Sequence, residues 1–454
     1  MSLLDCRDNA VSTNSHTSLD RLEAATTLLH GFYGDPLAVI DKALAEDPQF
    51  VMGHAFRAGL LITASDKTVE PMLKESVEAA EALVHKANDR ERRHIAAARA
   101  WLDRDFELSV RRYGDIVIDH PRDSVALQIA HLGDFFLGQA TMLRDRVAQV
   151  LPHWDESTPG FGFVLGMYAF GLEETNLFQQ AEDTGRRALA LNRRDPWAIH
   201  AVTHVMEMQG RQKDGIEWLT SRVKDWSEDN MFAVHQWWHL ALLHLDLGEI
   251  DEVLKLYDSG VRGNHSAMSL DLVDASAMLW RLQLRGIDIG DRWKEIADIC
   301  EEKADTGYYA FNDTHAMMAF VGNNREHAVR ERLDALTKVL DEKGTNVMMT
   351  RDVGLPLSEA IAALGRGDYA TTIERLIPIR AIANRFGGSN AQRDLIHLTL
   401  LEAAFRAGRV NLAQALAAER IALKPSSPFN KRAMSRVQAL IQEGENVTKT
   451  KEAA

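Results

Sequence analysis

The chain of 454 residues is poor in several things, and each shortage removes a class of function. It has two cysteines, Cys6 and Cys300, too few for a disulfide framework and suited to a reducing cytoplasm. No apolar run reaches the length of a bilayer-spanning helix, and the N-terminus has Asp5, Arg7 and Asp8 where a signal peptide would be basic and then apolar. Basic residues are outnumbered, 52 Lys and Arg against 66 Asp and Glu, and form no long stripe. A net charge of -14 argues against a nucleic-acid partner. There is no Gly-x-Ser-x-Gly elbow, phosphate-binding loop or dinucleotide fingerprint. Cys300 stands beside Glu301 and Glu302, which raise a thiol pKa, so it is discounted as a nucleophile. No run of alternation bounded by turn residues marks a strand.

What is present is an internal period. Phe106, Ser109, Tyr113, Ile116 and Pro121 match the second helix and closing proline of a tetratricopeptide repeat, and Gly248-Glu-Ile250, Gly367-Asp-Tyr369 and Gly408-Arg-Val410 repeat the theme. Helix pairs are expected at 19–46, 51–88, 90–119, 124–151, 161–193, 196–225, 231–260, 268–304, 308–342, 353–385 and 392–423, with a last helix at 428–443. The reading is an all-α superhelix over residues 19–443, preceded by an N-terminal cap (1–18) and followed by a lysine-rich, disordered tail (444–454). About eleven pairs exceed one superhelical turn, so a closed or nearly closed ring is expected, with a concave wall as the binding surface.

Several blocks resemble one family. Phe50-Val-Met-Gly-His54-Ala, His200-Ala-Val-Thr-His204 with Glu207, the run from Leu270 through Asp274 to Arg281, Phe311-Asn-Asp-Thr-His315, Arg351-Asp-Val-Gly-Leu-Pro-Leu357 and Gly387-Gly-Ser-Asn-Ala-Gln-Arg393-Asp394 are together similar to the tetratricopeptide repeat protein 38 family. The likeness spans Thr13 to Pro428 and implies an α-superhelix, but no reaction.

The candidate site centres on Pro196 to Gly210, where His200, His204 and Glu207 form one helical stripe. On a repeat register counted back from Gly210 and Gly248, Trp197, His200, His204 and Glu207 face the groove, as do Glu173 before them and His235 and Trp238 after, with His239 one turn on. The pairs His200/His204 and His235/His239 have the spacing by which one helix supplies two imidazoles to zinc or iron, with Glu173 or Glu207 completing the shell. Their other reading is hydrogen bonding across the groove, or contact with a small polar molecule or peptide terminus. A hydrolytic enzyme would use the same groups, with His200, His204 and Glu207 as its catalytic candidates. A peptide clamp needs Lys and Arg where this wall has His and acid.

Secondary candidates lie beyond. Asn312, Asp313 and His315 are either an N-cap or a second cluster on the wall, and Arg351-Asp352 is a loop-to-helix junction. Asn390 and Arg393 follow two glycines at a helix start that either forms a capping box from Ser389 and Gln392 or holds an anion. Asp274 and Arg281 are expected to pair with each other, and His131 to lie in the core.

Overall fold

The computed structural model describes residues 2–303 and 305–452. Paired antiparallel helices follow one another along the chain, among them Phe161–Glu174 with Phe178–Leu191, Pro196–Met208 with Gln212–Thr220, Ala233–Leu247 with Ile250–Leu256, Ser269–Leu284 with Arg292–Glu302, and Asn390–Arg406 with Val410–Leu423. The starts are written locally: Asp35, Asp105, Asp123, Asp195 and Asp368 each accept a main-chain N–H of the first turn, satisfying donors the helix cannot.

The two members of a pair differ in kind. The helix Ser269–Leu284 is buried nearly all round, as are Ser124–Phe136 and Pro196–Met208. An outer helix such as Phe178–Leu191 buries only Ala181, Gly185 and Ala188. A helix buried on every side needs neighbours on every side, which a single-layer solenoid facing an open groove does not supply.

The second half of the chain supplies them. Trp101 donates to Tyr308 at 3.0 Å, Tyr309 to the Phe136 carbonyl at 2.9 Å, Asn312 to the Ser65 carbonyl at 3.0 Å, and Ser427 to Asp246 at 2.6 Å. Lys303 and Ser269 both reach Asp66, at 2.6 and 2.8 Å. These partners are 173 to 247 residues apart in sequence, so the chain comes back over its own earlier course. The fold is an all-α superhelix of tetratricopeptide-like pairs, wound so that successive turns pack on one another. The expected closed ring is not confirmed; the inner helices meet side chains from later in the chain.

Two end regions differ from expectation. Residues Leu3–Leu4 and Ala10–Val11 form a short antiparallel strand pair, held by Asp5 and by Asn88 donating to the Ala10 carbonyl. Two-residue strands carry too little alternation to register as a pattern. At the other end the helix from Pro428 runs to Glu452, through the stretch read as a disordered tail; its Glu, Lys and Gln residues are good helix formers. Among the described residues no helix is long and apolar enough to cross a membrane.

Turn-on-turn packing is tight at Gly387, whose φ is +90° and where an added Cβ would stand 2.1 Å from Tyr309 Oη and 2.4 Å from the Phe136 carbonyl oxygen. Gly408 has φ +65° but open space around it. Gly408→Ala is expected to cost about 1 kcal/mol of backbone strain, and Gly387→Ala about 3 kcal/mol or more. Urea midpoints of the two variants check this, and equal shifts would count against close packing between turns.

Candidate metal centre

The helix Pro196–Met208 begins on Asp195, whose Oδ1 accepts from Trp197 N (3.0 Å) and Ala198 N (3.1 Å). That start fixes the rotation of the helix. Trp197 donates its Nε1 proton to His131 Nε2 at 3.1 Å and stacks on Phe32, so this candidate contact residue is a core residue, as is His131. His200 and His204 then point to the same side as His235 and His239 of the helix Ala233–Leu247.

The four imidazoles converge. His235 Nε2 lies 3.1 Å from His200 Nε2 and 3.1 Å from His239 Nε2, and one nitrogen from each of the four rings lies within 4.8 Å of the others. The outward nitrogens meet carboxylates: His235 Nδ1 is 2.7 Å from Asp274 Oδ2, and His239 Nδ1 is 2.9 Å from Glu207 Oε2. His204 Nδ1 stands 3.1 Å from Glu173 Oε2, close but off the hydrogen-bond axis, and its Nε2 has no partner. His200, His204 and His239 are buried, while the His235 side chain keeps 14% of its surface. Trp238, fully buried, stacks on His235 at 5.3 Å, and the Phe232 ring lies 5.0 Å from both His200 and His235.

Burial dominates the electrostatics. It lowers His204 to about 4 and holds His200 and His239 well below the usual imidazole range, with the neighbouring histidines adding to the effect on His200 and His239. It raises Glu173 to about 8, helped by Glu207, and Glu174 to about 7, helped by Glu173. Neither Glu173 oxygen has a hydrogen-bond partner.

Several expectations change here. Glu207 Oε2 meets the outward nitrogen of His239 and so orients that imidazole, whereas Glu173 stands with Glu174 beside His204, the three offering polar atoms within 4.8 Å of one another. Asp274 does not pair with Arg281; its Oδ2 is on His235, and Arg281 donates to the carbonyls of Ala277 (3.1 Å) and Ala391 (2.9 Å). Asp274 is thus a site residue hidden by a plausible i, i+7 partner on its own helix. Glu174 was also missed. It fills the helix start expected to hold an outside anion: Asn390 N donates to its Oε1 at 2.9 Å, Arg393 stands 3.5 Å from its Oε2, and the Ser389/Gln392 capping box is formed as well. A second cluster at 312–315 does not form, nor does an N-cap, because that helix starts at Ala310 after Tyr309. Asn312 bonds Ser65, Asp313 pairs with Arg332 at 2.6 Å, and His315 Nδ1 meets the Phe311 carbonyl at 2.7 Å. Arg351 and Asp352 lie in a π-turn between the helices Thr345–Met349 and Leu355–Gly365, where Asp352 also pairs with Arg385 at 2.7 Å.

No family model matches the chain. Among solved structures it is similar to the human IFIT1 dimer with PPP-AAAA, at 12% identity and a TM-score of 0.42 over 93% of this chain and 94% of that one. It is also similar to yeast Tom70 (12%, TM-score 0.32, 95% and 90%) and to the P58(IPK) TPR domain (13%, TM-score 0.21, 86% and 98%).

Asp195 gives the pH prediction. Burial raises it to about 7 against the two N–H groups it accepts, and its Oδ2 is unpartnered. A raised carboxyl stabilises the fold fully below its unfolded pKa near 4, and that contribution is lost as pH rises through about 7, because the unfolded chain ionises first. Asp195→Asn keeps the cap and removes the titration. Between pH 5 and pH 8 the wild type is expected to lose about 2–3 kcal/mol relative to the variant in urea melts, and parallel pH profiles would refute the assignment.

Proposed function

We propose that the protein is a helical-repeat metalloprotein holding one transition-metal ion, zinc or iron, between His200, His204, His235 and His239. The observation that carries this is the contact between His235 and His239. Both outward nitrogens bond carboxylates, which fixes the protons there and leaves two Nε2 lone pairs facing each other at 3.1 Å. Two lone pairs repel unless a proton or a cation lies between them, and burial disfavours a proton on His239. Zinc–nitrogen bonds of about 2.0–2.1 Å would set tetrahedral ligand nitrogens about 3.3 Å apart, close to the spacing here. Imidazole also suits iron, nickel and copper, and the Asp274 and Glu207 contacts are those by which outer carboxylates orient metal-bound histidines.

The blocks that resemble the tetratricopeptide repeat protein 38 family include His200, His204, Glu207 and Asp274, which supports reading those blocks as the marks of one site. The partly exposed edge of His235 is where a small polar ligand would approach the ion. A hydrolytic enzyme is the second reading, favoured by Glu173: a carboxyl raised to about 8, without a hydrogen-bond partner, beside a ligand imidazole can exchange a proton near neutral pH. A peptide clamp is less supported, because the wall residues it would use are buried. Both cysteines are free thiols, consistent with a cytoplasmic setting.

Metal analysis by inductively coupled plasma mass spectrometry, on untagged protein purified without chelator, is expected to find close to one zinc or iron per chain. His200→Ala with His235→Ala should abolish it, and Asp274→Asn should weaken affinity about 10- to 100-fold while circular dichroism stays helical. No metal in the wild type, even after incubation with Zn²⁺ or Fe²⁺, would overturn the proposal.

A further inference from the structure

Beside the histidines lies a pocket that neither the metal reading nor the repeat architecture uses. It has a volume of about 340 Å³ and is bounded by the helices Ser269–Leu284 and Asn390–Arg406 and the closing helix from Pro428. Its apolar walls are Leu284, Leu398, Leu401, Phe405, Phe429 and Ala433. Four guanidinium groups line it, those of Arg281, Arg285, Arg432 and Arg436, against a single carboxylate, Glu402.

The charges are unevenly matched. Glu402 is taken by Arg406 (2.8 Å) and Arg436 (2.7 Å). The other three arginines have no carboxylate within ion-pair distance among the described residues. Arg281, 3% exposed, donates only to main-chain carbonyls; Arg285 donates to the Leu245 carbonyl at 2.5 Å and lies over the Phe429 ring at 4.2 Å; Arg432, at the mouth, donates to the Asp246 carbonyl at 2.8 Å. The nearby acids are engaged elsewhere: Asp394 with Arg420 at 2.6 and 3.0 Å, Glu207 with His239, Asp274 with His235, and Asp246 with Ser427. A smaller cavity of about 50 Å³ adjoins the pocket through Arg281, Arg285, Leu398 and Phe429, and is lined as well by Arg420 and Lys424 and by the carboxylates of Glu207, Asp246 and Asp394.

Removing a guanidinium from water without an anion is costly, and main-chain carbonyls offset only part of that cost. Burial lowers Arg285 to about 9 against the pull of Asp246, and the neighbouring Arg432, Arg281 and Arg420 add to the lowering. Three such groups around one apolar pocket, graded from an exposed mouth at Arg432 to a buried floor at Arg281, describe a receptor for a molecule with an apolar body and one anionic end.

We propose that this pocket binds a small amphipathic carboxylic acid, its carboxylate between Arg281 and Arg285 and its apolar body against Leu398, Leu401, Phe405 and Phe429. The planar, two-oxygen carboxylate suits the guanidinium fork, and the apolar walls exceed what a bare inorganic anion would use. This does not depend on the metal: no pocket residue belongs to the imidazole cluster. The two sites are nevertheless joined, since Trp238 stacks on His235 and carries Arg281 5.3 Å from its ring centroid.

The test is isothermal titration calorimetry of the full chain with sodium octanoate, beside octanamide and inorganic phosphate. Octanoate should bind one per chain, at least tenfold tighter than either comparator. Arg285→Gln should weaken it tenfold or more, and Leu401→Trp, which fills the pocket, should abolish it, with both variants melting cooperatively. Absence of octanoate binding, equal binding of octanamide or phosphate, or binding that survives Leu401→Trp would each overturn the proposal.

Discussion

The structure depends on one constraint: inner helices that are apolar or internally bonded on every side have to be covered, and only a second pass of the chain can cover them. A tetratricopeptide array usually leaves its concave wall to solvent or a partner. Here the wall is the protein's own interior, and polar groups that would be unremarkable on a groove become buried and electrostatically strong. The depressed histidines, the raised Glu173 and Glu174 and the lowered Arg285 all follow from that burial.

The imidazole quartet shows how such groups are tolerated. At His235 and His239 carboxylates hold the outward nitrogens, which turns the Nε2 atoms of both rings inward. The neighbouring glutamates follow a parallel logic, with Glu174 lying on the free N–H groups of the helix Asn390–Arg406 as a built-in anion. The arginine pocket is the exception: Arg281, Arg285 and Arg432 bond main-chain carbonyls, and the acids around them are engaged with other groups.

Much of this was readable in the sequence because it is local. Aspartate caps and turn glycines mark the helix pairs, and i, i+4 spacing put both histidine pairs on single helix faces. What was not readable is what the second pass decides. Asp274 looked like a partner for Arg281 until His235 of another helix was brought to it, and Asn390 and Arg393 looked like an open anion site until Glu174, 216 residues earlier, occupied it. Repeat counting gives the curvature of one turn, and says nothing of whether the next turn rests upon it. The short strand pair and the helical end lay below the strength of any periodic signal.

The order of the parts along the chain has a kinetic consequence. Glu173, His200, His204, Glu207, His235, His239 and Asp274 all lie in the middle stretch of the sequence, whereas the helices that close over them, including Asn390–Arg406, come later. During synthesis the imidazole cluster can therefore assemble while the covering helices are still in the ribosome. An ion bound as proposed above would be captured at that stage and sealed in when the last repeats dock. Its release would then require those repeats to lift away, so exchange would be timed by local unfolding of the C-terminal repeats and not by the strength of the nitrogen bonds.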